Sequence, residues 1–501
     1  MRLGSQGGKS FAGALLAVLA LVPGCSNSGA EHDPESSPSD SSWASARSAN
    51  ALRNPAEVVS KDGLLRTRIV VERKKVELAG RKLWALTYNG QYMPPTLRIK
   101  PGDRMELAVV NKIDKVTNLH VHGLHVSPSG NSDNIFLAIE PGQTYHYAYQ
   151  FPSNLAAGTY WYHPHPHTQS AAQTAGGMSG LIIVDGLKKY LPESLRGIRE
   201  RVVALKDFQV QGDQVKTEGL KIGSPTNRTV NGQLNPVIDI RPGEVQLWRI
   251  ANISANIFYK VALPGRKFHV IARDANPVNT IYSADSIVIP AAARFDVLVE
   301  GGRPGTSELQ TLPYNTGPAG NQFPRATLAT VVSEGPAMAP VKIPTAFAPT
   351  VDLSHAKIAA RKTITFTENT QGTQFFINGK QFDMNRTDFT SKLNTVEEWT
   401  VRNQSDEVHS FHTHTDDFQL MSKNGVPVRF YGWRDTVDIA PRGESVLRIR
   451  FSDYVGRTVL HCHILNHEDA GMMATLEIVG DQPANGAGKE PVPHHQARPH
   501  A

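Results

Sequence analysis

Apolar and polar residues alternate with period two through most of the chain. MELAVVN (105–111), HYAYQF (146–151), RFDVLVE (294–300) and VLRIRF (446–451) all read this way. Side chains two apart share one face of a strand, so such runs predict strands with one face turned to a core. No long stretch carries helical periodicity. The pattern also repeats. Tyr88–Asn111 reads YNGQYMPPTLRIKPGDRMELAVVN, and Val230–Asn252 reads VNGQLNPVIDIRPGEVQLWRIAN. A worn third copy reads INGKQFDMN and then LNTVEEWTVRN, ending at Asn403. Each copy opens on an Asn-Gly turn and closes on an alternating strand that ends in Asn. The Asn-Gly pairs start at 89, 231 and 378, about 145 residues apart. The prediction is an all-β chain of three sequential Greek-key barrels or sandwiches, near 58–187, 188–345 and 346–480. The Pro-, Gly- and Thr-rich stretch 301–349 is expected to be the passage between the second and third.

Composition adds the ends. Arg2 and Lys9 precede an apolar run, Phe11–Val22, that is too short to span a bilayer. This reads as an export signal over 1–25. Its end, Pro23-Gly24-Cys25, is similar to a bacterial lipoprotein site, with Cys25 acylated. Residues 26–57 are Ser-, Pro- and Asp-rich with little to bury, and are expected to form a flexible tether. The tail 481–501, with His494, His495 and His500, is expected to be disordered. The expected location is the periplasm or cell envelope, with the membrane reached only through Cys25. A net charge of +6 over 501 residues, with Lys and Arg scattered among acids, leaves no nucleic-acid footprint. A monomer is expected. With two cysteines, Cys25 and Cys462, no disulfide framework is expected.

The chemistry lies in histidine. Ten of the 19 histidines fall in four clusters. His120 and His122, then His163 and His165, lie in the first repeat. His409, His412 and His414, then His461, His463 and His467, lie in the third. The second repeat holds only His269. On a strand each His-x-His pair offers two imidazoles on one face. Four such pairs supply eight nitrogens, too many for one metal and reasonable for three. Tetrahedral zinc, with three or four protein ligands, fits poorly. Cys462 has the opposite parity to His461 and His463. With His409, His467 and Met472 it completes a His₂Cys set with an axial thioether, the set of blue copper. The tripeptide His461-Cys462-His463 would then join a single copper on one side of the strand to a copper cluster on the other.

These motifs resemble those of three-domain multicopper oxidases, the laccase-like enzymes. H-x-H, H-x-H, H-x-x-H-x-H and H-C-H-x-x-x-H-x-x-x-x-M follow one another between about Ala51 and Gly480. The resemblance implies cupredoxin-like barrels and four copper ions. Type 1 copper would take His409, Cys462, His467 and Met472, and type 2 copper His120 and His412. The type 3 pair would take His122, His163, His165, His414, His461 and His463. It implies four one-electron oxidations of a small donor coupled to reduction of O₂ to two waters. Val121, Ser410 and Thr415 depart from the family's usual Trp, Pro and Gly, and none of the three is a ligand. His167 extends the parity of His163 and His165 and is expected to be a neighbouring hydrogen-bonder. His125 is expected beside the ligands or on the surface, and Met473 in packing.

Reduction of O₂ consumes protons, so carboxylates near the cluster matter. Asp133 matches the family's acidic position near type 2 copper, and Glu468 is the second candidate. For the donor, nine methionines with no Met-rich insertion argue against a dedicated cuprous oxidase. Axial Met472 implies a modest type 1 potential. Phenolic and aromatic donors are therefore expected, the alternative being a metallo-oxidase acting on Cu(I), Mn(II) or Fe(II).

Overall fold

A computed structural model describes residues 50–480. The export signal, Cys25 and the three tail histidines lie outside the described residues. Among the described residues six of the seven sheets fall into three sets of one six-stranded and one five-stranded sheet, and the seventh is a two-stranded ribbon, Tyr314–Asn315 with Gln322–Phe323. In the first, the five-stranded sheet runs Glu57–Val59, Thr96–Ile99, Gly180–Val184, Gly158–His163, His120–His122. The corresponding sheet of the third runs Phe389–Lys392, Met473–Val479, Gly456–Cys462, His409–Thr413, Thr436–Ile439. The second repeats the order without histidine pairs: Val237–Ile240, Ala326–Ser333, Gly305–Thr311, Tyr259–Ala262, Ser286–Ile289.

Two asparagines per repeat explain why the same words recur. In all three Asn-Gly turns both residues have positive φ: +53° and +69° at 89–90, +53° and +78° at 231–232, +51° and +72° at 378–379. That is the type I′ hairpin turn, which asparagine and glycine tolerate best. Each turn Asn also replaces a missing strand. The Oδ1 atoms of Asn89, Asn231 and Asn378 accept from the Val70, Ala204 and Thr365 amides at 2.7, 2.9 and 2.7 Å. Their Nδ2 groups donate to the carbonyls of Arg68, Val202 and Thr363. The closing asparagines are buried and tie loops that cannot pair with a strand. Asn252 donates to the carbonyls of Ile257, Ile289 and Pro290, and Asn403 to those of Glu407, Ile439 and Ala440.

Two expectations need correction. The presumed end of the tether is laid down firmly from Asn50. Its side chain donates to the carbonyls of Leu234 and Asn235, Leu52 is buried, and Glu57–Val59 pairs parallel to Thr96–Arg98. The presumed passage 301–349 contains two core strands of the second barrel, Gly305–Thr311 and Ala326–Ser333. Their Thr, Ala and Val residues suit a pleated surface better than the local Gly and Pro suggested. A hairpin at 210–215 also crosses over to extend the first barrel's six-stranded sheet beside Trp84. Among the described residues no helix is long and apolar enough to cross a membrane.

Candidate metal centre

The histidine pairs sit on neighbouring strands or just past their ends. His120–His122 is an edge strand, while Gly158–His163, His409–Thr413 and Gly456–Cys462 lie inside their sheets and are followed by His165, His414 and His463. His120 pairs with His163 across one ladder, and His412 with His461 across another. All eight paired histidines are at most 2% exposed. Three sets bring their nitrogens within 4.8 Å of one another: His120, His122 and His412; His122, His163 and His463; His165, His414 and His461. The Nε2 of His461 is 3.1 Å from that of His414 and 3.3 Å from that of His165. Nε2 of His120, His163 and His412, and both nitrogens of His122 and His463, are buried with no hydrogen-bond partner.

The outer nitrogens explain which way the inner ones point. His120 Nδ1 lies 3.0 Å from both oxygens of Asp133, which also accepts from the Val121 amide at 3.1 Å. His412 Nδ1 donates to the Asp435 carbonyl at 2.8 Å, and His163 Nδ1 to the Pro164 carbonyl at 3.0 Å. Glu468 puts one oxygen 3.1 Å from His461 Nδ1 and the other 3.5 Å from His165 Nδ1. With Nδ1 holding the proton, Nε2 presents a bare lone pair. Burial pushes every one of these imidazoles far below its ordinary value, His412 to about 3 and His165 and His461 to about 4. Neutral lone pairs converging at such range repel, and a cation among them resolves the conflict. Burial pushes Asp133 up to about 8 and raises Glu468 as well.

The other side of Gly456–Cys462 holds a different set. Cys462 Sγ lies 3.5 Å from His409 Nδ1 and 3.9 Å from His467 Nδ1, and those two nitrogens are 3.2 Å apart. Their far nitrogens are taken by Ser405 Oγ at 2.8 Å and Glu407 at 3.3 Å. Phe375 stacks on His467 at 4.0 Å. Burial pushes the Cys462 thiol far up, so a thiolate here requires a neighbouring cation. Met472 is fully buried in the same apolar cluster as Cys462, and its carbonyl accepts the Cys462 amide at 3.0 Å. The short helix Leu465–Asp469 divides the labour: His467 faces Cys462, Glu468 faces the histidine cluster, and Asp469 accepts the amides of Ser170 and Ala171 at the start of helix Ser170–Gly176.

Three family profiles, each described as multicopper oxidase, match residues 70–189, 202–306 and 355–482. The chain belongs to the multicopper oxidase family. It is an oxidoreductase that takes electrons from a reducing substrate and gives them to O₂. It is 26% identical over 404 residues to the multicopper oxidase mco of Staphylococcus haemolyticus, a match covering 78% of this chain and 83% of that one. Two solved structures are similar. A Campylobacter jejuni multicopper oxidase described as a metallo-oxidase has a TM-score of 0.74 at 26% identity, covering 85% of this chain and 96% of that one. The laccase-like CueO of Ochrobactrum sp., described as active towards lignin model compounds and lignosulfonate, has a TM-score of 0.73 at 26% identity, covering 85% and 100%.

The donor sets of this multicopper oxidase fit copper: a soft sulfur with imidazoles on one side, and orphaned imidazole nitrogens on the other. Other groups sit where their chemistry was not anticipated. Asp435 and Arg294 form a buried ion pair beside His122 and His412. Arg294 and Asp296 fall on the polar parity of RFDVLVE, where alternation expects solvent, so the sequence carried no signal that both are buried. Glu407 holds the parity of His409, and it lines one cleft with Glu368. Burial, then this neighbour, pushes Glu407 up to about 9. His125 is bonded to the Thr415 carbonyl at 2.7 Å and to Asp453 at 2.9 Å. His167 lies edge-on to Phe382 at 4.8 Å, and its buried Nδ1 makes no hydrogen bond. Met473 packs with Ile135 and Val459.

Proposed function

We propose that this oxidase takes single electrons from a small cationic donor, a divalent first-row metal ion such as Fe(II) or Mn(II), docked beside His467. The observation that carries the donor class is the carboxyl pair Glu368–Glu407. A cleft of about 1050 Å³ is lined by His467, Glu368, Asp406, Glu407 and Asp469, with Arg442 already paired to Asp406 at 2.7 Å. Hard carboxylates suit Fe(II) and Mn(II) better than Cu(I). They also bring a bound cation to a carboxyl that touches the ring of His467.

Copper would occupy His409, Cys462, His467 and Met472 as type 1, His120 and His412 as type 2, and two triads as type 3: His122, His163 and His463, with His165, His414 and His461. Bound there, four such ions would supply one-electron redox chemistry, coupling four single-electron oxidations of the donor to the four-electron, four-proton reduction of O₂ to two waters. The chain's own residues do the rest. Cys462 joins the two sets through its covalent bonds to His461 and His463. Asp133 bonds the outer nitrogen of His120, Glu468 stands beside those of His461 and His165, and both can exchange protons with the reduction site. The charged, apolar segment 1–25 supports export to the cell envelope, with Cys25 as a lipid attachment point.

A phenolic donor is the second reading, favoured by a cleft much larger than one metal ion needs. The test is kcat/KM for Fe(II) and Mn(II) against a methoxyphenol, in wild type and Glu368→Gln, on protein whose copper content and blue absorbance are measured. The Fe(II)-to-phenol ratio should fall at least about tenfold in the variant, or 1.4 kcal/mol. An unchanged ratio, with the phenol the better donor throughout, would hand the function to the phenol reading. Colourless protein without copper would remove both.

A further inference from the structure

The second barrel contributes no histidine to the cluster, yet one of its arginines reaches it. Arg294 is fully buried. Its Nε donates to the Thr159 carbonyl of the first barrel at 3.0 Å. Its Nη1 donates to Asp435 Oδ1, in the third, at 2.8 Å, and its Nη2 stands 2.8 Å from Oδ2 as an ion-pair contact without hydrogen-bond alignment. Nη1 also lies 3.3 Å from the Ala292 carbonyl, and the Arg294 amide donates to Asp274 at 3.0 Å. Thr436 Oγ1 gives Asp435 Oδ1 a further bond at 2.8 Å. The carboxylate is therefore clamped, and the main-chain carbonyl of the same residue accepts His412 Nδ1–H at 2.8 Å. Asp435 Oδ1 is also 3.4 Å from His122 Nε2.

Stability does not account for this pair. Replacing a buried ion pair with packed apolar groups is often neutral or stabilising, so the pair's distinctive yield is geometry. Gly123, directly after His122, supports the same view. It has φ +83°, and a Cβ there would collide with Asp435 Oδ2 and Arg294 Nη2. Arg249, on the neighbouring strand, is the natural contrast. It is almost as buried, and it bonds Asp296 at 3.1 Å, Glu200 at 3.1 Å and Thr159 Oγ1 at 3.3 Å, with no cluster histidine among its partners.

We propose that Arg294 is a positioning residue for the copper held by His120 and His412: through Asp435 it fixes the Nδ1–H tautomer and ring direction of His412. The inference rests on the type 2 assignment made above. Lysine could keep the charge but not the planar group that bonds Asp435 Oδ1 and the Thr159 carbonyl at once.

The experiment compares copper-loaded wild type, Arg294→Lys and Arg249→Lys. Chelator titration is followed by copper per chain, the type 2 resonance signal and the blue absorbance of the Cys462 set. Partners behind metal-ligating histidines commonly change metal affinity about 10–100-fold. Arg294→Lys should thus lose its type 2 signal at roughly a tenth of the wild-type chelator concentration or less, with blue absorbance intact, while Arg249→Lys follows wild type. If Arg294→Lys retains type 2 copper as wild type does, or the two variants shift alike, the inference is overturned. Should Arg294→Lys not fold, Thr436→Val removes one donor to Asp435 and should weaken type 2 copper about threefold, the worth of a modest hydrogen bond. A wild-type titration in that variant also overturns it. Wild-type protein that binds copper without a type 2 signal refutes the assignment beneath it, a result separable from the variant comparison.

Discussion

Glu468→Gln isolates what one buried carboxylate does for two histidines. Glu468 is fully buried, and its oxygens stand 3.1 Å from His461 Nδ1 and 3.5 Å from His165 Nδ1. Both Nε2 atoms face inward, 3.3 Å apart, so both Nδ1 atoms carry hydrogen and both need an acceptor. Glutamine keeps the shape but offers one oxygen and one NH₂. Its oxygen can face His165, whose Nδ1 has no hydrogen-bond partner and only the Glu468 charge beside it, leaving the NH₂ facing His461 Nδ1–H. His461 can fall back on the Cys462 carbonyl at 3.2 Å, so the damage is one donor set against another rather than two. A buried donor left unmatched costs about 1–3 kcal/mol, a factor of roughly 5–150 in an equilibrium constant. That loss should fall on copper held by His165, His414 and His461. Chelator titration of the copper-loaded variant should show those ions leaving at least about fivefold more easily than in wild type, with the Cys462 absorbance unchanged. Oxygen consumption should fall too, because the amide cannot exchange a proton with the reduction site. Wild-type copper retention together with wild-type oxygen uptake would refute the argument that Glu468 sets these tautomers.

Three further outcomes follow from the same contacts. Cys462→Ser should abolish the blue absorbance and turnover while the cluster histidines still hold their copper, because Sγ faces His409 and His467 and not the eight paired imidazoles; turnover at the wild-type rate would show that electrons enter elsewhere. In the metal-free protein Asp133, pushed up to about 8 by burial, keeps its proton when folded and loses it near 4 when unfolded, so its contribution to stability is present at low pH and lost as pH rises from about 4 to 8. Asp133→Asn lacks that loss, so its stability relative to wild type should rise by roughly 1.4 kcal/mol per pH unit between pH 5 and 8, and parallel denaturation curves would contradict this. Asn252→Ala strands the carbonyls of Ile257, Ile289 and Pro290 and should cost about 2–4 kcal/mol in urea unfolding, whereas a loss under 0.5 kcal/mol would mean water replaces the side chain.

The strands, the repeats and the histidine pairs were legible because each rests on local rules. Period-two alternation fixes which residues share a face, and an Asn-Gly pair fixes a turn. The separation of Cys462 from His461 and His463 followed from parity alone, and the structure puts Sγ and the two imidazoles against different partners. What stayed hidden depends on distant chain segments. Glu368 and Glu407 lie almost forty residues apart and meet only when their barrel closes. Arg294 fits the polar parity of an alternating strand, so neither its burial nor its partner Asp435 could be guessed. Local composition misled twice. Gly and Pro near 301–349 hid two core strands, and the polar stretch before Glu57 gave no sign that Asn50 and Leu52 lie against the second barrel.

That barrel also answers why a chain with chemistry in its first and third repeats retains the middle one. The Leu465 amide, at the start of the helix that carries His467 and Glu468, donates to the Ala255 carbonyl at 3.1 Å. The Asn466 amide donates to Asn256 Oδ1 at 2.9 Å. Ser410 Oγ, between His409 and His412 in sequence, reaches the Ala291 carbonyl at 3.3 Å. On its other side the buried ammonium of Lys206 donates to the carbonyls of Tyr92, Gly177 and Ser179 in the first barrel. The histidines of two barrels can converge within hydrogen-bond range only if the barrels are held in one relation. Polar contacts from the second barrel, directed at main chain beside the histidines, hold them there. A barrel without histidine pairs is thus part of the candidate metal centre's geometry, because contacts at residues 255, 256, 291 and 294 fix chain segments that carry the histidines of the others.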